Sequence, residues 1–363
     1  MPLLARMLAS PLFLDIRAGA VDDLPRLLQD RHISTTGNVL VAVGPLTGQD
    51  IWTRIEPSLP GATMFSVQEG SLAAAAELQA ALGERGYDAV VAIGGGRTLD
   101  VAKYAATRAG IPMIAVATNL AHDGLCSPVA SLEHPHGKGS FGVALPLAVV
   151  VDLDYVKQAP DPLVAAGIGD VASNLSAIED WLLAGRERNE PVDGLAMAFA
   201  RTAAEAVIRH TGSIDDETFL VVLAEALVLS GMAMSVAGTS RPCSGACHEI
   251  LHAIDQLFPG AATHGELAGL GAAFATHLRG DQDRFAELIT CLARHELPCV
   301  PADVGLSEEQ FVSAVLAAPD TRPDRYTILE HLALDAEETT ARVRDFVAAV
   351  DEVQSGDARV ATV

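Results

Sequence analysis

The sequence predicts a doubly wound α/β domain over residues 1–158, followed by an all-helical domain over residues 159–363. Three observations predict it. Short, continuous apolar runs alternate with helix-length segments as far as Val116. Three consecutive glycines, Gly94–Gly96, join one of those runs to a helix. Beyond Pro160 the β-rich runs stop and only helix-length segments follow.

The elements follow in chain order. Met1–Leu14 is apolar but broken by Arg6 and Pro11 and has no convincing cleavage site, so it reads as an opening strand or core segment. Asn38–Gly44 (NVLVAVG) is a buried parallel strand and Gly48–Glu56 a helix. Ala62–Val67 is a weaker strand. Ser71 can cap the helix Ser71–Arg85, and Gly86 closes it. Asp88–Ile93 is a strand, Thr98–Ala109 a helix and Ile111–Val116 a strand. Eight helices are then expected: Pro162–Ala184, Val192–His210, Asp215–Val236, Cys243–Leu257, Gly265–His277, Asp281–Leu292, Ser307–Ala318 and Asp335–Val353.

Composition narrows the function. The 363 residues hold 24 Lys+Arg against 47 Asp+Glu, a net charge of −23. That acid excess excludes a nucleic-acid partner, which needs a positive field, and an anionic membrane surface. No segment reads as a membrane span; Gly142–Val151 is too short and carries Pro146. Five irregularly placed cysteines do not make a disulfide framework, so a reducing, cytoplasmic setting is expected. The lysines are Lys103, Lys138 and Lys157, so nearly all basic charge is arginine.

The turn Ile93–Thr98 lets backbone approach a pyrophosphate at a helix N-terminus. It lacks GxGxxG spacing, because Leu99 stands at the last position, so an unliganded tight turn is an equal reading. In the helical domain Asp170, the pair His248 and His252 (i, i+4), and His264 are potential metal ligands. Two imidazoles and a carboxylate would bind a divalent ion and leave positions open. The plain alternative is a set of core or surface histidines; a thiolate site at Cys243 and Cys247 is the weaker one. Thr118–Gly124 (TNLAHDG) follows a strand, where a doubly wound sheet puts its ligands. Arg241 is a candidate clamp for phosphate or carboxylate, or a partner of one of the many acids.

Five segments taken together resemble the sn-glycerol-1-phosphate dehydrogenase family. They are Ile93–Tyr104 (IGGGRTLDVAKY), Ile111–Ala130 (IPMIAVATNLAHDGLCSPVA), Gly167–Trp181 (GIGDVASNLSAIEDW), Gly238–Asp255 (GTSRPCSGACHEILHAID) and His264–Gly269 (HGELAG). That family sits in the metal-dependent alcohol dehydrogenase and dehydroquinate synthase-like superfamily. The resemblance implies an α/β nucleotide-binding domain, an all-α metal-binding domain and a homo-oligomer. It implies NAD or NADP held by Gly94, Gly95, Gly96, Asp100, Thr118 and Ser127. It implies one divalent metal, zinc with nickel or iron as alternatives, on Asp170, His248 and His264. Asp123 would contact substrate and nicotinamide, with His252 and His122 near the proton. Arg241, then Lys138, would meet the phosphate of a polyol phosphate such as dihydroxyacetone phosphate. The chain departs from the family at Arg97, Ala117, Asn119, Leu120, Ala121 and Cys247, the last where glutamate is usual. Those changes keep two other readings in view: a dehydrogenase of another polyol or specialised-metabolite intermediate, and a dehydroquinate synthase-like cyclase. The scarcity of lysine disfavours the cyclase. An unphosphorylated-polyol dehydrogenase and an inactive binding relative complete the alternatives.

Overall fold

The computed structural model describes residues 9–135 and 137–360, the side chains of 357–360 excepted. The first eight residues of the expected opening segment lie outside the described residues. Backbone contacts divide the chain into two compact units, Met1–Pro160 and Asp161–Val363.

Among the described residues the first unit holds eight strands: β1 (Phe13–Arg17), β2 (Val39–Val43), β3 (Thr63–Ser66), β4 (Ala89–Gly94), β5 (Met113–Ala117), β6 (Val129–His134), β7 (Gly137–Gly142) and β8 (Ala148–Asp152). Six of them form one sheet in the order β1-β8-β5-β4-β2-β3, with every neighbouring pair parallel. Its helices are α1 (Leu24–Asp30), α2 (Thr47–Ile55), α3 (Leu72–Glu84), α4 (Gly96–Ala109) and α5 (Leu153–Val156). β2, β4, β5 and β8 are buried along their whole length, so both sheet faces are covered and the sequence is apolar without alternation. On one face Val39, Val41, Val43, Val91, Ile93 and Val116 pack with Leu24, Leu28, Ile51 and Trp52. β6 and β7 make a separate antiparallel hairpin. The sequence reading assigned no strand to β6, β7 or β8, because GKGSFG is rich in glycine and the run into β8 passes through Pro146. α4 begins at Gly96, two residues before the expected start.

The second unit contains α6 (Asp161–Ala172), α7 (Asn174–Arg188), α8 (Gly194–Ile208), α9 (Glu217–Ala237), α10 (Ala246–Leu257), α11 (His264–Arg279), α12 (Gln282–Arg294), α13 (Glu308–Ala317), α14 (Ile328–Leu332) and α15 (Ala336–Val360). The single helix expected over 162–184 is two. The Ser173 hydroxyl donates to the carbonyl of Asp170 at 2.7 Å and competes for the acceptor that the next turn would use. Against the expectation of no membrane-length segment, α9 is 21 residues long and apolar enough to span; 61% of its most apolar window is buried inside the unit, as in a core helix. Phe274, Phe285, Phe311 and Phe346 meet edge to face at 5.3–6.0 Å and tie α11, α12, α13 and α15 together.

α6 and α11 approach through glycine. A methyl on Gly265 would land on the Ala166 carbonyl, and one on Gly169 on the Gly265 carbonyl. A methyl on Gly269 would lie 3.2 Å from the Cα of Gly169. The two backbones touch, and the residues adjoining Gly169 and Gly265 are Asp170 and His264.

Candidate metal centre and cofactor turn

Asp170, His248 and His264 are brought together, each offering one ligand atom within 4.8 Å of the others. Oδ1 of Asp170 lies 3.6 Å from Nε2 of His248 and 3.7 Å from Nε2 of His264. Those separations are long for hydrogen bonds. They are close to the roughly 3.4 Å between two ligands on a tetrahedral centre with bonds of about 2.1 Å. The group therefore fits a divalent metal with positions left open.

Each ligand is held by its helix. Asp180, fully buried, accepts the N–H of Ala246 at 2.8 Å and that of Ile328 at 2.8 Å, and pairs with Arg279. The carboxylate thus anchors the start of α10, two residues before His248. Glu266 accepts from the N–H and hydroxyl of Thr263 at 2.7 and 2.6 Å, fixing the start of α11 and with it His264. Nδ1 of His248 lies 3.2 Å from the Cys247 sulfur, which leaves Nε2 for the metal group. Burial opposes a charge on His248, but Cys247 and Asp170 outweigh it and push its pKa up to about 10. Burial likewise opposes ionisation of Cys247, and His248 outweighs it and pulls the thiol down. A metal entering the group displaces a proton from His248. His252, one turn further along α10, stands outside the trio, its ring centroid 6.4 Å from that of His248.

In the first unit the chain leaves β2 towards β3 and leaves β4 towards β5 on the other side, so a crevice opens beyond the C-ends of β2 and β4. Gly94–Gly96 stands there. Gly94 and Gly44 both close on Thr98, where added methyls would strike its side chain. A methyl on Gly95 would sit 2.7 Å from Nδ2 of Asn119, and one on Gly96 would strike Nε2 of His122. Nδ1 of His122 accepts the N–H of Gly124 at 2.9 Å, so the neutral ring carries its proton on Nε2, towards the glycine turn. Thr118 is 7% exposed and donates its N–H to the Gly94 carbonyl at 3.2 Å. Asp123 opens the short turn Asp123–Leu125 beside it.

The other expected contact residues have these surroundings within the chain. Asp100 is 6% exposed, pairs with Lys103 at 2.9 Å and accepts the Ser131 N–H at 2.9 Å. Arg241 is no open clamp: it is 3% exposed and its Nε and Nη2 close on both oxygens of Glu190. Lys138 is exposed on the hairpin, in register with Glu133. Ser127 is buried, its hydroxyl donating to the Val129 carbonyl at 3.1 Å and accepting from Lys103 at 3.3 Å.

Sequence reasoning missed two groups. Lys103, 1% exposed, also donates to the carbonyls of Gly124, Ser127 and Val129, and so holds the loop that carries Asp123 and Ser127. Its i, i+3 spacing from Asp100 was the available signal. Arg322 and Arg325 reach the start and face of α10 from a later segment, signalled only by two arginines around Pro323-Asp324.

A parallel sheet, a glycine turn at its crevice and an Asp-His-His group in a helical unit define a metal-dependent nicotinamide dehydrogenase architecture. Residues 15–160 match the family model described as iron-containing alcohol dehydrogenase. The fold is that of a glycerol dehydrogenase from Schizosaccharomyces pombe, at TM-score 0.77 and 19% identity over 98% of this chain and 93% of that one. A probable glycerol dehydrogenase from Sinorhizobium meliloti aligns at TM-score 0.75 and 21% identity, over 97% and 99% of the two chains. The glycerol-1-phosphate dehydrogenase [NAD(P)+] of Methanosphaerula palustris is 36% identical over 340 residues, 90% of each chain. That of Methanosarcina mazei is 37% identical over 320 residues, 86% of this chain and 89% of the relative. The chain belongs to the glycerol-1-phosphate dehydrogenase family.

Proposed function

We propose that the protein is a metal-dependent, NAD(P)-linked dehydrogenase that interconverts dihydroxyacetone phosphate and sn-glycerol 1-phosphate. The observation that carries the reading is the convergence of Asp170, His248 and His264 in a chain of this family. Zinc is the proposed ion, with nickel or iron as alternatives. When bound, the ion supplies a Lewis acid for the ketone oxygen and the nicotinamide supplies or takes the hydride.

The chain's own residues do the rest by positioning. Gly94–Gly96 and the N-terminus of α4 receive the pyrophosphate, where the Nε2–H of His122 adds a donor. His122 therefore serves the cofactor, not the proton. Thr118 and Ser127 flank the nicotinamide, and Asp123 accepts from a substrate hydroxyl. Nε2 of His252 lies 3.1 Å from Nη2 of Arg322. An arginine only donates, so that nitrogen accepts and the ring proton of His252 sits on Nδ1. The proton for the new hydroxyl reaches it through His252 or water.

The test is metal analysis of the purified protein, followed by NADH and NADPH oxidation with dihydroxyacetone phosphate before and after chelation. Chelator-sensitive oxidation yielding the sn-1 product is the expected result. Bound metal and cofactor with turnover only of another ketone moves the substrate and keeps the reaction class. Absence of both metal and cofactor binding refutes the proposal.

A further inference from the structure

The turn Ala318–Thr321 packs on α10 and leads into Arg322-Pro323-Asp324-Arg325. The proline keeps Arg322 out of helix, at φ −144° and ψ 66°. From there its Nη2 reaches to 3.1 Å from Nε2 of His252. Arg325 is bound otherwise: Nη1 donates to the Ser244 carbonyl, and Nη2 to the Ser240 hydroxyl at 2.6 Å. Arg241 is closed on Glu190. Burial, and then the charges of Arg322 and Arg241, pull Arg325 down to about 10. Three guanidinium groups thus gather beside α10 in a chain of net charge −23. Among the described residues no carboxylate pairs with Arg322, and its hydrogen-bond partner there is the imidazole of His252.

A guanidinium kept without a carboxylate is a receptor for an anion that arrives with a ligand. We propose that Arg322 receives the phosphate of the substrate, which rests on the reading above that the substrate is a phosphorylated polyol. The spacing agrees. His248 and His252 are one turn apart, with ring centroids 6.4 Å apart. In dihydroxyacetone phosphate the phosphate ester sits on the carbon next to the ketone. A ketone oxygen at the Asp170–His248–His264 group leaves that phosphate within reach of the next turn of α10, where Arg322 stands. On binding, the guanidinium exchanges one hydrogen bond to His252 for two charged ones to phosphate oxygens and frees Nε2 of the imidazole. Arg325 and Arg241, fixed by their own partners, add positive potential without having to move.

Two measurements on R322A and R322K test this. In steady-state reduction, kcat/KM for dihydroxyacetone phosphate should fall about 10- to 100-fold in R322A, chiefly through KM. Turnover of unphosphorylated dihydroxyacetone, which loses only the contact to His252, should fall much less, and R322K should recover part of the loss on the phosphorylated ketone. Equal losses on both ketones, or none on either, overturn the proposal. So does a loss confined to NADPH against NADH, which would give the arginine to the cofactor's 2′-phosphate. Calorimetric titration of the zinc-loaded protein with inorganic phosphate reads binding without turnover. Binding present in the wild type and lost in R322A supports the assignment even where no polyol phosphate is reduced, a failure that would fall on the proposed reaction alone. Indistinguishable titrations overturn it.

Discussion

Replacing Lys103 by methionine removes a buried ammonium and keeps most of the side chain's length. Lys103 is 1% exposed. It donates to the Gly124 carbonyl at 2.8 Å and the Ser127 hydroxyl at 3.3 Å, and pairs with Asp100 at 2.9 Å. In K103M the Asp100 carboxylate, 6% exposed, keeps only the Ser131 N–H. Breaking a buried pair from one side costs about 3–5 kcal/mol, because the remaining charge stays desolvated. For a domain of this size that lowers Tm by roughly 6–20 °C. Scanning calorimetry reads the shift, and titration of NADH fluorescence reads the loop: the segment carrying Asp123 and Ser127 loses its anchor, so cofactor affinity is expected to fall with stability. The double variant K103M/D100N removes the stranded charge and should recover part of the loss. A K103M protein melting within about 2 °C of wild type with unchanged NADH affinity would refute the reasoning. A double variant no more stable than K103M would refute its electrostatic part.

Three further outcomes are expected. D170N removes an anionic ligand at the point where α6 and α11 touch; zinc affinity should drop by more than about 100-fold with the circular dichroism spectrum unchanged. His295, stacked on Phe219 at 4.9 Å, has its pKa lowered to about 4 by burial and then by Arg294 and His210. The unfolded chain takes up that proton as pH falls through about 6.5 and the folded one does not. Stability of order 3 kcal/mol, complete above pH 6.5, is therefore lost as pH falls to about 4; H295F should flatten that limb in urea titrations at pH 7 and 4.5. Glu249 has the opposite sign: burial, then Glu330 and Asp180, raise it to about 9, and it accepts from the Thr327 hydroxyl at 2.9 Å. The folded state keeps a proton that the unfolded state loses above its ordinary pKa, so stability falls as pH rises towards 9. E249Q should match wild type near pH 4.5 and exceed it at pH 8, by thermal melts at both.

Much of this was legible in order of physical range. The buried runs of β2, β4 and β5, the glycine turn and the long helices are local signals, and most of their ends lie within a residue or two of the expected ones, although α10 starts three residues later than expected and α15 runs on to Val360. β6 and β7 escaped because their pairing supplies what their composition lacks: glycine-rich GKGSFG is a strand only beside its partner. The break at Ser173 is one side-chain hydrogen bond, invisible to periodicity. Among polar residues, spacing exposed the His248–His252 face but not which imidazole turns to Asp170. Arg241 looked like a clamp because its partner Glu190 lies 51 residues away. Asp100 and Lys103 were readable as a helical pair, but only burial shows that the pair serves the loop. Arg322 carries only the weak local signature of the arginines around Pro323-Asp324, since its meaning comes from the face of α10 that it meets.

The glycine crossing of α6 and α11 has a consequence for heat. Most ligand spacings are set by rotamers, which wander as temperature rises, so a metal can be lost well before its protein melts. Here the backbones that carry Asp170 and His264 are spaced by peptide groups in van der Waals contact, with no side chain between the helices to soften. That backbone spacing widens only when the helices themselves part. In protein loaded with zinc, metal release and loss of helix should then fall close together in temperature, so that a metal indicator and the far-ultraviolet signal trace nearly one curve.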